Sequence, residues 1–293
     1  MARIIIIGPG AIGLCVGGGL LQAGHDVVFA SRSPFETLSV TKVGMPPQVR
    51  PAQVVTAPED IEADADWVCL CVKSHQVAGT ADWLKATLGP KTRLAVWQNG
   101  VEHRERVAPW ISADTAVVPV VVDLPALRLS AGEVEWRHRA KLAVPDTADA
   151  RDLCDLFASS FFEATATADY ITENWKKLCV NAPTGAVLAL TGQRMGVLHR
   201  PEVAAIARAL LIECILVGRA EGADLPDELI DQQMARFLAE DPQSTNSMYE
   251  DWLAGRETEW DARNAVIVRK GRQHGIATPV SDILVPLLAA QRP

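Results

Sequence analysis

The chain has 293 residues, of which 48% are apolar and 22% are charged, and its formal net charge is −8. This length provides room for two ordinary domains, and the composition is that of a folded globular protein rather than of a disordered one. The acidic balance argues against a nucleic-acid binder, which usually carries a basic face, so an anionic substrate would have to be attracted by local cations.

The six cysteines are scattered, most of them inside apolar runs. They form no CxxC pair and no Cys/His cluster with zinc spacing, so we predict no metal site and interpret them as buried free thiols in a reducing cytosol. The N-terminal apolar run is short and leads directly into a glycine motif, which indicates a strand rather than a signal peptide. Since no segment approaches the roughly 18 apolar residues of a membrane helix, we expect a cytoplasmic protein that binds neither membranes nor nucleic acids.

The first half of the chain alternates apolar strands with helices. The β-branched run Arg3–Ile7 predicts a strand buried on both faces, and a helix is predicted over 11–23. Further predicted elements are strands at 26–30, 66–72 and 93–96 and a helix at 76–88. This alternation is typical of a doubly wound Rossmann sheet. Three later strands, at 117–122, 133–137 and 141–144, are expected to extend that sheet in antiparallel fashion.

The second half of the chain is helical in pattern from about Asp169 onward. Amphipathic stretches are found at 173–190, 201–221, 262–274 and 281–291. We therefore predict an α/β protein with an N-terminal Rossmann domain over 1–168 and a C-terminal all-helical domain over 169–293. Helix amphipathicity serves the core of a monomer as well as a subunit interface, so a homodimer is left open.

A glycine motif lies between the first strand and the first helix. Gly8-Pro9-Gly10-Ala11-Ile12-Gly13 matches G-x-G-x-x-G, in which the glycines allow a tight turn, close approach of a pyrophosphate and close helix–strand packing. The N-terminus of the helix offers N–H groups and partial positive charge to phosphates. Gly8, Gly10, Ala11, Ile12 and Gly13 are accordingly predicted to bind a dinucleotide.

The end of the second strand indicates which dinucleotide. An NAD-binding protein usually has Asp or Glu there, whereas this chain has Ala30-Ser31-Arg32-Ser33. A cation without an acid favours a 2′-phosphate, and we therefore predict NADPH with Arg32 as a ligand. The competing interpretation is that Arg32 is an ordinary solvated loop residue.

A lysine stands inside an apolar helical segment of the second half. On a helix, Lys177, Asn181 and Gly185 lie on one face. Burying a lysine is costly unless it has a partner or a task, yet a surface lysine that extends its amine into solvent would give the same pattern. Periodicity alone does not decide between the two.

Several motifs occur together in one order. They are Gly8 to Gly13, Gln98-Asn99-Gly100, Trp175-x-Lys177-Leu178-x-x-Asn181, Ser247-Met248, Gly255-Arg256-x-Thr258-Glu259-x-Asp261-x-x-Asn264 and Gly275-Ile276-Ala277-Thr278-Pro279. In this order and spacing the chain resembles the ketopantoate reductase (2-dehydropantoate 2-reductase) family, from its first strand almost to its C-terminus.

The resemblance implies two catalytic residues. Lys177 takes the place of the family's lysine, which donates a proton to the ketone oxygen as hydride reaches the carbon. Glu259 takes the place of the acidic partner that orients the substrate and the lysine. Without the Thr258-Glu259-x-Asp261 context, Glu259 would be interpreted as a solvated glutamate.

The resemblance also implies four binding residues. Asn99 matches the asparagine at the nicotinamide end of the cofactor, and Lys73 matches a lysine near its adenosine half. Asn181 and Ser247 match residues that hold the hydroxyl and carboxylate groups of the substrate. The competing interpretation for all four is an ordinary polar surface residue.

The chain departs from the family pattern near the substrate. Gly185 replaces the asparagine that the family has eight residues after the lysine, and Pro183 is expected to distort the helix. Trp260 occupies a position usually filled by a smaller aliphatic side chain. A reshaped pocket is expected, because a lost hydrogen-bond partner weakens discrimination between substrates.

The sequence therefore predicts an NADP-dependent oxidoreductase that acts on CH–OH groups. Its partner would be a small 2-keto acid, ketopantoate or a related substrate. An opine-type C–N dehydrogenase lacks support from the segments 175–181 and 247–264, and a non-catalytic NADPH sensor remains open because of Gly185. The charged run 102–106 is interpreted as a solvated helix start.

Overall fold

The computed structural model describes residues 1–62 and 64–291. These group into two compact units. The first unit comprises Met1–Gln98 and His103–Tyr170, and the second comprises Asn99–Glu102 and the chain from Ile171 onward. The domain boundary predicted from the sequence, between residues 168 and 169, stays a prediction.

The strands belong to the first unit. In chain order they are β1 (Arg3–Ile7), β2 (Asp26–Ala30), β3 (Thr37–Lys42), β4 (Gln48–Pro51), β5 (Gln53–Val55), β6 (Trp67–Leu70), β7 (Arg93–Val96), β8 (Val117–Pro119), β9 (Val121–Asp123), β10 (Ala126–Ser130), β11 (Glu133–Trp136), β12 (Lys141–Pro145) and β13 (Glu163–Thr167).

The helices are divided between the units. Those of the first unit are α1 (Ala11–Gln22), α2 (Ala81–Thr87), α3 (His103–Val107) and α4 (Ala148–Asp155). Helix α5 (Tyr170–Thr191) begins at the junction, and the second unit continues with α6 (Pro201–Ala220), α7 (Glu228–Ala239), α8 (Ser247–Leu253), a π-helical turn (Asp261–Ala265), α9 (Val266–Gln273) and α10 (Pro279–Ala290).

The main sheet has six strands in the order β5-β2-β1-β6-β7-β8, and every neighbouring pair is parallel. Counted within this sheet alone, the order is 3-2-1-4-5-6, the arrangement of dinucleotide-binding folds, in which ligands bind outside the carboxyl ends of the strands where the order reverses. That point lies between β1 and β6. The Rossmann-type fold of the first half and the helical second half are therefore confirmed.

Strand β1 shows why its sequence is apolar throughout. Ile4 and Ile6 pack in the core on one face of the sheet, whereas Ile5 and Ile7 pack in the core on the other face. Because side chains alternate along a strand, burial on both faces requires an apolar residue at every position.

The prediction that the later strands extend the main sheet in antiparallel fashion was wrong. Strand β8 joins the sheet parallel to β7, while β11 lies in a four-stranded sheet of order β10-β11-β3-β4 and β12 in a three-stranded sheet of order β13-β12-β9. Periodicity shows that a segment is extended, but it carries no information on the partner strand.

Helix α1 packs closely against β2 and β3 because it carries glycines. A Cβ atom on Gly17 would lie 2.4 Å from the ring of Phe29, and one on Gly18 would lie 2.6 Å from Cγ2 of Val40. This close packing fixes the N-terminus of α1 relative to the end of β1.

The second unit is built around apolar faces of its helices. Its main core includes Trp175 and Leu178 of α5 and Cys214 of α6, with Val266 and Ile267 of α9. Helix α5 continues through Pro183, and its backbone carbonyls nearby accept side-chain hydrogen bonds, from Thr184 Oγ1 to Val180 and from Asn264 Nδ2 to Ala182. Within residues 1–62 and 64–291, no helix is both long and apolar enough to cross a membrane.

Candidate functional site

The glycine loop of the first unit joins β1 to α1. Gly8 has a φ of +88°, and a Cβ atom there would lie 2.4 Å from Cγ1 of Val72. A Cβ atom on Gly13 would lie 2.4 Å from the carbonyl oxygen of Gly8, so neither position accepts a side chain. The Cβ position of Gly10, in contrast, has no atom within 4 Å.

The loop therefore fits a pyrophosphate. Gly10 leaves open space directly before α1, and the first-turn N–H groups of Ala11, Ile12 and Gly13 have no acceptor within the helix. Such N–H groups and the helix dipole attract phosphate. The predicted dinucleotide ligands thus form one cradle.

Arg32 follows β2 on one side of the glycine loop. Ser31 closes a short turn there, since its hydroxyl donates to the carbonyl of Ser33 at 2.8 Å and its N–H donates to the carbonyl of Val55. The Arg32 side chain is exposed at the tip of this turn. Because β2 is the neighbour of β1, Arg32 and the glycine loop lie at the same edge of the sheet.

Lys73 lies beyond the end of β6, the other neighbour of β1. Its backbone N–H donates to Oε1 of Gln76 at 3.2 Å, which starts a short 3-10 turn. The side chain is half-buried. Arg32 and Lys73 therefore follow the two strands that flank β1.

Asn99 belongs to the second unit although it follows β7. Its Nδ2 donates to Oε2 of Glu259 at 2.9 Å, and its Oδ1 accepts from Nδ2 of Asn181 at 3.2 Å. Three predicted site residues, distant in sequence, are thus linked by two hydrogen bonds. The structure groups Asn99 with the predicted catalytic and substrate residues.

The segment 99–102 is held in place at several points. A Cβ atom on Gly100 would lie 2.7 Å from the carbonyl oxygen of Ala262, so the backbones touch there. Glu102 forms an ion pair of 2.6 Å with Arg269, which also pairs with Asp261. The interpretation of 102–106 as a solvated helix start was therefore wrong at Glu102, whose side chain is only 14% exposed.

A buried ion pair lies behind this set. Glu259 and Arg263 are each 2% exposed, and Nη2 of Arg263 lies 3.0 Å from Oε2 of Glu259. The same Nη2 donates to Oγ of Ser247 at 2.8 Å. Arg263 lies in the π-helical turn and Glu259 lies two residues before it; such turns are a local irregularity that is frequent at functional sites.

Lys177 lies on α5 one helical turn before Asn181, and both side chains are half-buried. Residues four apart on a helix are neighbours on its surface, which places the lysine beside the Asn99–Asn181 pair. Trp175, Leu178 and Met248 instead lie in the cores of the second unit.

The accessible groups and the buried groups of the site are distinct. Ser247 is exposed, and Asn99, Lys177 and Asn181 are half-buried, whereas Glu259 is almost fully enclosed. The site thus has amide, hydroxyl and ammonium donors at its surface. The buried Glu259 carboxylate accepts a hydrogen bond from one of them, the Asn99 amide. An arrangement of this kind suits a small ligand rich in acceptor oxygens.

The position of the missing asparagine is closed rather than open. A Cβ atom on Gly185 would lie 3.0 Å from Sδ of Met248, which is fully buried. Trp260 is half-buried against the same apolar cluster. The thioether of Met248 therefore occupies the space beside Gly185.

Arg263 was not among the predicted site residues. It occupies one of the unassigned positions of the Asp261-x-x-Asn264 motif, shortly before the apolar residues 265–268. The available signal was its spacing from Glu259, since Glu and Arg four residues apart on a helix form an ion pair.

Family models match almost the whole chain. The model described as "Ketopantoate reductase PanE/ApbA" matches residues 4–149, and the one described as "Ketopantoate reductase PanE/ApbA C terminal" matches residues 169–292. The two matches therefore include the glycine loop and all of α5 to α10.

Individual relatives agree with this assignment. A 2-dehydropantoate 2-reductase of Caulobacter vibrioides is 43% identical over 293 residues, which is 99% of each chain. The crystal structure of 2-dehydropantoate 2-reductase from Geobacter metallireducens matches with a TM-score of 0.90 at 26% identity, over 98% of this chain and 99% of that one. A dimeric ketopantoate reductase from Staphylococcus aureus matches with a TM-score of 0.87 at 25% identity, over 99% and 98%. The chain belongs to the ketopantoate reductase family.

Proposed function

We propose that this chain reduces the ketone of ketopantoate, or of a closely related 2-keto acid, to the alcohol at the expense of NADPH. The family to which it belongs uses NADPH and is an oxidoreductase family acting on CH–OH groups. One observation carries the proposal for this chain: Asn99, Asn181, Glu259 and Ser247, from separate segments, form one hydrogen-bonded set with Arg263.

The first unit would hold the cofactor. The open space at Gly10 and the N-terminus of α1 suit its pyrophosphate, and Arg32 suits the 2′-phosphate. Lys73 would bind near the adenosine half, and Asn99 at the nicotinamide end. When bound, NADPH supplies the hydride.

The second unit would supply the proton and hold the substrate. Lys177 would donate a proton to the ketone oxygen, because an ammonium near a developing alkoxide both stabilises the charge and provides the proton. Asn181 would bind the substrate's hydroxyl and Ser247 its carboxylate, which are roles that accessible amide and hydroxyl groups can perform.

Glu259 would act as an orienting carboxylate. It holds Asn99 by a 2.9 Å hydrogen bond and is too buried to make extensive contact with a substrate. It would orient the substrate and Lys177, in part through the Asn99 amide that it holds.

The test is oxidation of NADPH with ketopantoate beside a panel of other 2-keto acids, for the wild type, Lys177→Met and Lys176→Met. Lys176 is the matched control, because it is adjacent, partly exposed and paired with Glu173. We expect kcat to fall by about 10²- to 10⁴-fold in Lys177→Met and to change little in Lys176→Met.

The other outcomes are equally informative. Strong turnover of a different 2-keto acid with weak turnover of ketopantoate would mean that the reaction type is kept and that the substrate pocket prefers another keto acid. NADPH binding without turnover on the whole panel would contradict the proposal and favour a sensor.

We also propose that the chain forms a homodimer through α10. Ile283 and Leu287, which are 66% and 52% exposed, lie one turn apart on a helix whose sole charged residue is Asp282. A second copy of the chain suits such a face, and the S. aureus relative is dimeric. Light scattering should give a dimer for the wild type and for the control Leu253→Glu on α8, and a monomer for Leu287→Glu.

We place the protein in the cytoplasm. All six cysteines are free thiols, and Cys15, Cys69, Cys179 and Cys214 are buried. Free thiols are typical of reducing compartments. Fractionation of the native cells with an antibody to the chain tests this placement.

A further inference from the structure

We propose that Arg263 is a positioning residue for the reduction, which orients the Ser247 hydroxyl and the Glu259 carboxylate through a single nitrogen atom. The inference rests on the proposed function, since it assigns a role within the same site. Arg263 itself is 2% exposed and lies behind the accessible groups.

The guanidinium of Arg263 connects the Ser247 and Glu259 side chains. Nη2 carries two hydrogens, and it has two acceptors, Oγ of Ser247 at 2.8 Å and Oε2 of Glu259 at 3.0 Å. One nitrogen therefore fixes the distance between two side chains from different segments. Ser247 is the first residue of α8, whose N-terminus is capped by Asn246 through a hydrogen bond to the N–H of Tyr249.

The contact with Arg263 also restricts the direction of the Ser247 hydroxyl hydrogen. Arginine has only donors, so the contact with Arg263 makes Oγ of Ser247 an acceptor. The hydroxyl hydrogen then has to point elsewhere, and Ser247 is exposed. Arg263 thus makes Ser247 a donor toward a bound acceptor, as a carboxylate of a keto acid requires.

One oxygen of the Glu259 carboxylate accepts two hydrogen bonds. Its Oε2 accepts from Arg263 and from Asn99, at 3.0 and 2.9 Å. Hydrogen bonds from a cation and an amide favour the ionised carboxylate in a buried position. They also leave Oε2 fully occupied, so the orientation of the carboxyl group is fixed.

The contacts of Arg263 favour a positioning role over a purely stabilising one. A buried ion pair is weak evidence for stability, because apolar residues of similar volume often serve as well. Nε of Arg263 is buried without a hydrogen-bond partner, although Nη2 has two. The guanidinium is therefore placed to reach Ser247 and Glu259 rather than to satisfy all of its own donors.

The experiment compares Arg263→Met, Arg263→Lys and the double variant Arg263→Met/Ser247→Ala with Ser247→Ala alone. Steady-state rates give kcat and the KM values for the keto acid and for NADPH, and fluorescence titration gives the Kd of NADPH. The control is Arg272→Met on α9, whose side chain is 76% exposed and paired with Asp282.

We expect Arg263→Met to lower kcat/KM for the keto acid by about 10- to 100-fold, since small misplacements of binding groups have effects of this size. The KM for the keto acid should rise by a larger factor than the Kd of NADPH, because Arg263 contacts Ser247 directly and reaches Asn99 only through Glu259. In the Ser247→Ala background, Arg263→Met should raise the keto-acid KM by a smaller factor, because the hydroxyl that it orients is absent while its contact with Glu259 is still lost. The kcat/KM of Arg263→Lys should lie between those of the wild type and Arg263→Met, since an ammonium keeps the positive charge but lacks the planar set of guanidinium donors.

The inference is overturned if folded Arg263→Met keeps the wild-type kcat and keto-acid KM, or if its effect on KM is the same with and without Ser247. Should Arg263→Met not fold, Arg263→Lys decides, and an unchanged keto-acid KM there counts against the inference. A wild type that binds NADPH but reduces no 2-keto acid would instead refute the proposed function.

Discussion

Asn99 and Asn181 are 82 residues apart in the chain, yet their side-chain amides meet at 3.2 Å. Asn181 donates and Asn99 accepts, which leaves Oδ1 of Asn181 as an acceptor for a substrate hydroxyl. The Nδ2 of Asn99 is at the same time directed to Glu259. The polarity of this short chain of hydrogen bonds follows from the carboxylate at its end, because an ionised carboxylate can only accept.

Replacing Asn99 by aspartate should therefore be worse than replacing it by alanine. The new side chain would place a second carboxylate against buried Glu259, and like charges at such distances cannot both stay ionised without a large cost. We expect kcat/KM for the keto acid to fall about tenfold further in Asn99→Asp than in Asn99→Ala. Equal rates for the two variants would contradict the expected repulsion between carboxylates at positions 99 and 259.

Arg32 is predicted to set the cofactor preference. Arg32→Ala should lower kcat/KM for NADPH about 10- to 100-fold, the size of a lost charge-assisted hydrogen bond. The rate with NADH is the internal control and should hardly change, because NADH has no 2′-phosphate. A preserved preference for NADPH in Arg32→Ala would mean that another group binds the 2′-phosphate.

Gly185→Asn should destabilise the second unit by about 1–3 kcal/mol, because it adds side-chain volume to a packed position. A Cβ atom there would lie 3.0 Å from Sδ of Met248. Urea unfolding should show that the penalty shrinks in a Met248→Ala background, which a double-mutant cycle measures directly. Gly79→Asn is the control, since no atom lies within 4 Å of its Cβ position. A penalty independent of Met248 would contradict the contact.

His103 should make the first unit less stable in acid. Burial lowers its pKa to about 4, with a further decrease from the charge of Arg106, although the hydrogen bond from Nε2 to the carbonyl of Gln98 opposes this. The unfolded chain, with a histidine pKa of about 6.5, binds the proton more readily. Stability is therefore full above about pH 6.5 and declines as the pH falls toward 4, by about 3 kcal/mol in total from this residue.

The measurement is the free energy of unfolding in urea at about pH 7 and about pH 5. His103→Gln should flatten the difference between the two, whereas His138→Gln, at an exposed position, should leave it as in the wild type. The same slope in His103→Gln and in the wild type would assign the acid sensitivity to other groups.

Much of the fold follows from the sequence where burial is two-sided. Strand β1 agrees with its predicted bounds because Ile4 to Ile7 face both cores, and a strand of this kind is apolar at every position. Strands β3 and β10 were not predicted, although polar residues alternate with apolar ones in both. Their pairing in a second sheet depends on contacts between distant residues, which local patterns do not encode.

The candidate site shows the same division. Lys177, Asn181 and Glu259 follow from motif order, and the structure brings two of them together with Asn99. Arg263 was not predicted, because an arginine next to apolar helical residues usually extends to the surface. Only the packing shows that it turns inward to Glu259.

The segment Asn99–Glu102 gives the protein an unusual topology for a two-unit chain. It belongs to the second unit although both flanking segments, up to Gln98 and from His103, belong to the first. One cut in the gene therefore cannot separate the two halves cleanly, since a fragment that ends near Tyr170 would keep Val101 and Glu102 but lose the helices that they contact. Exchange of the first unit with that of another enzyme would therefore have to keep these four residues compatible with the helices of the second unit.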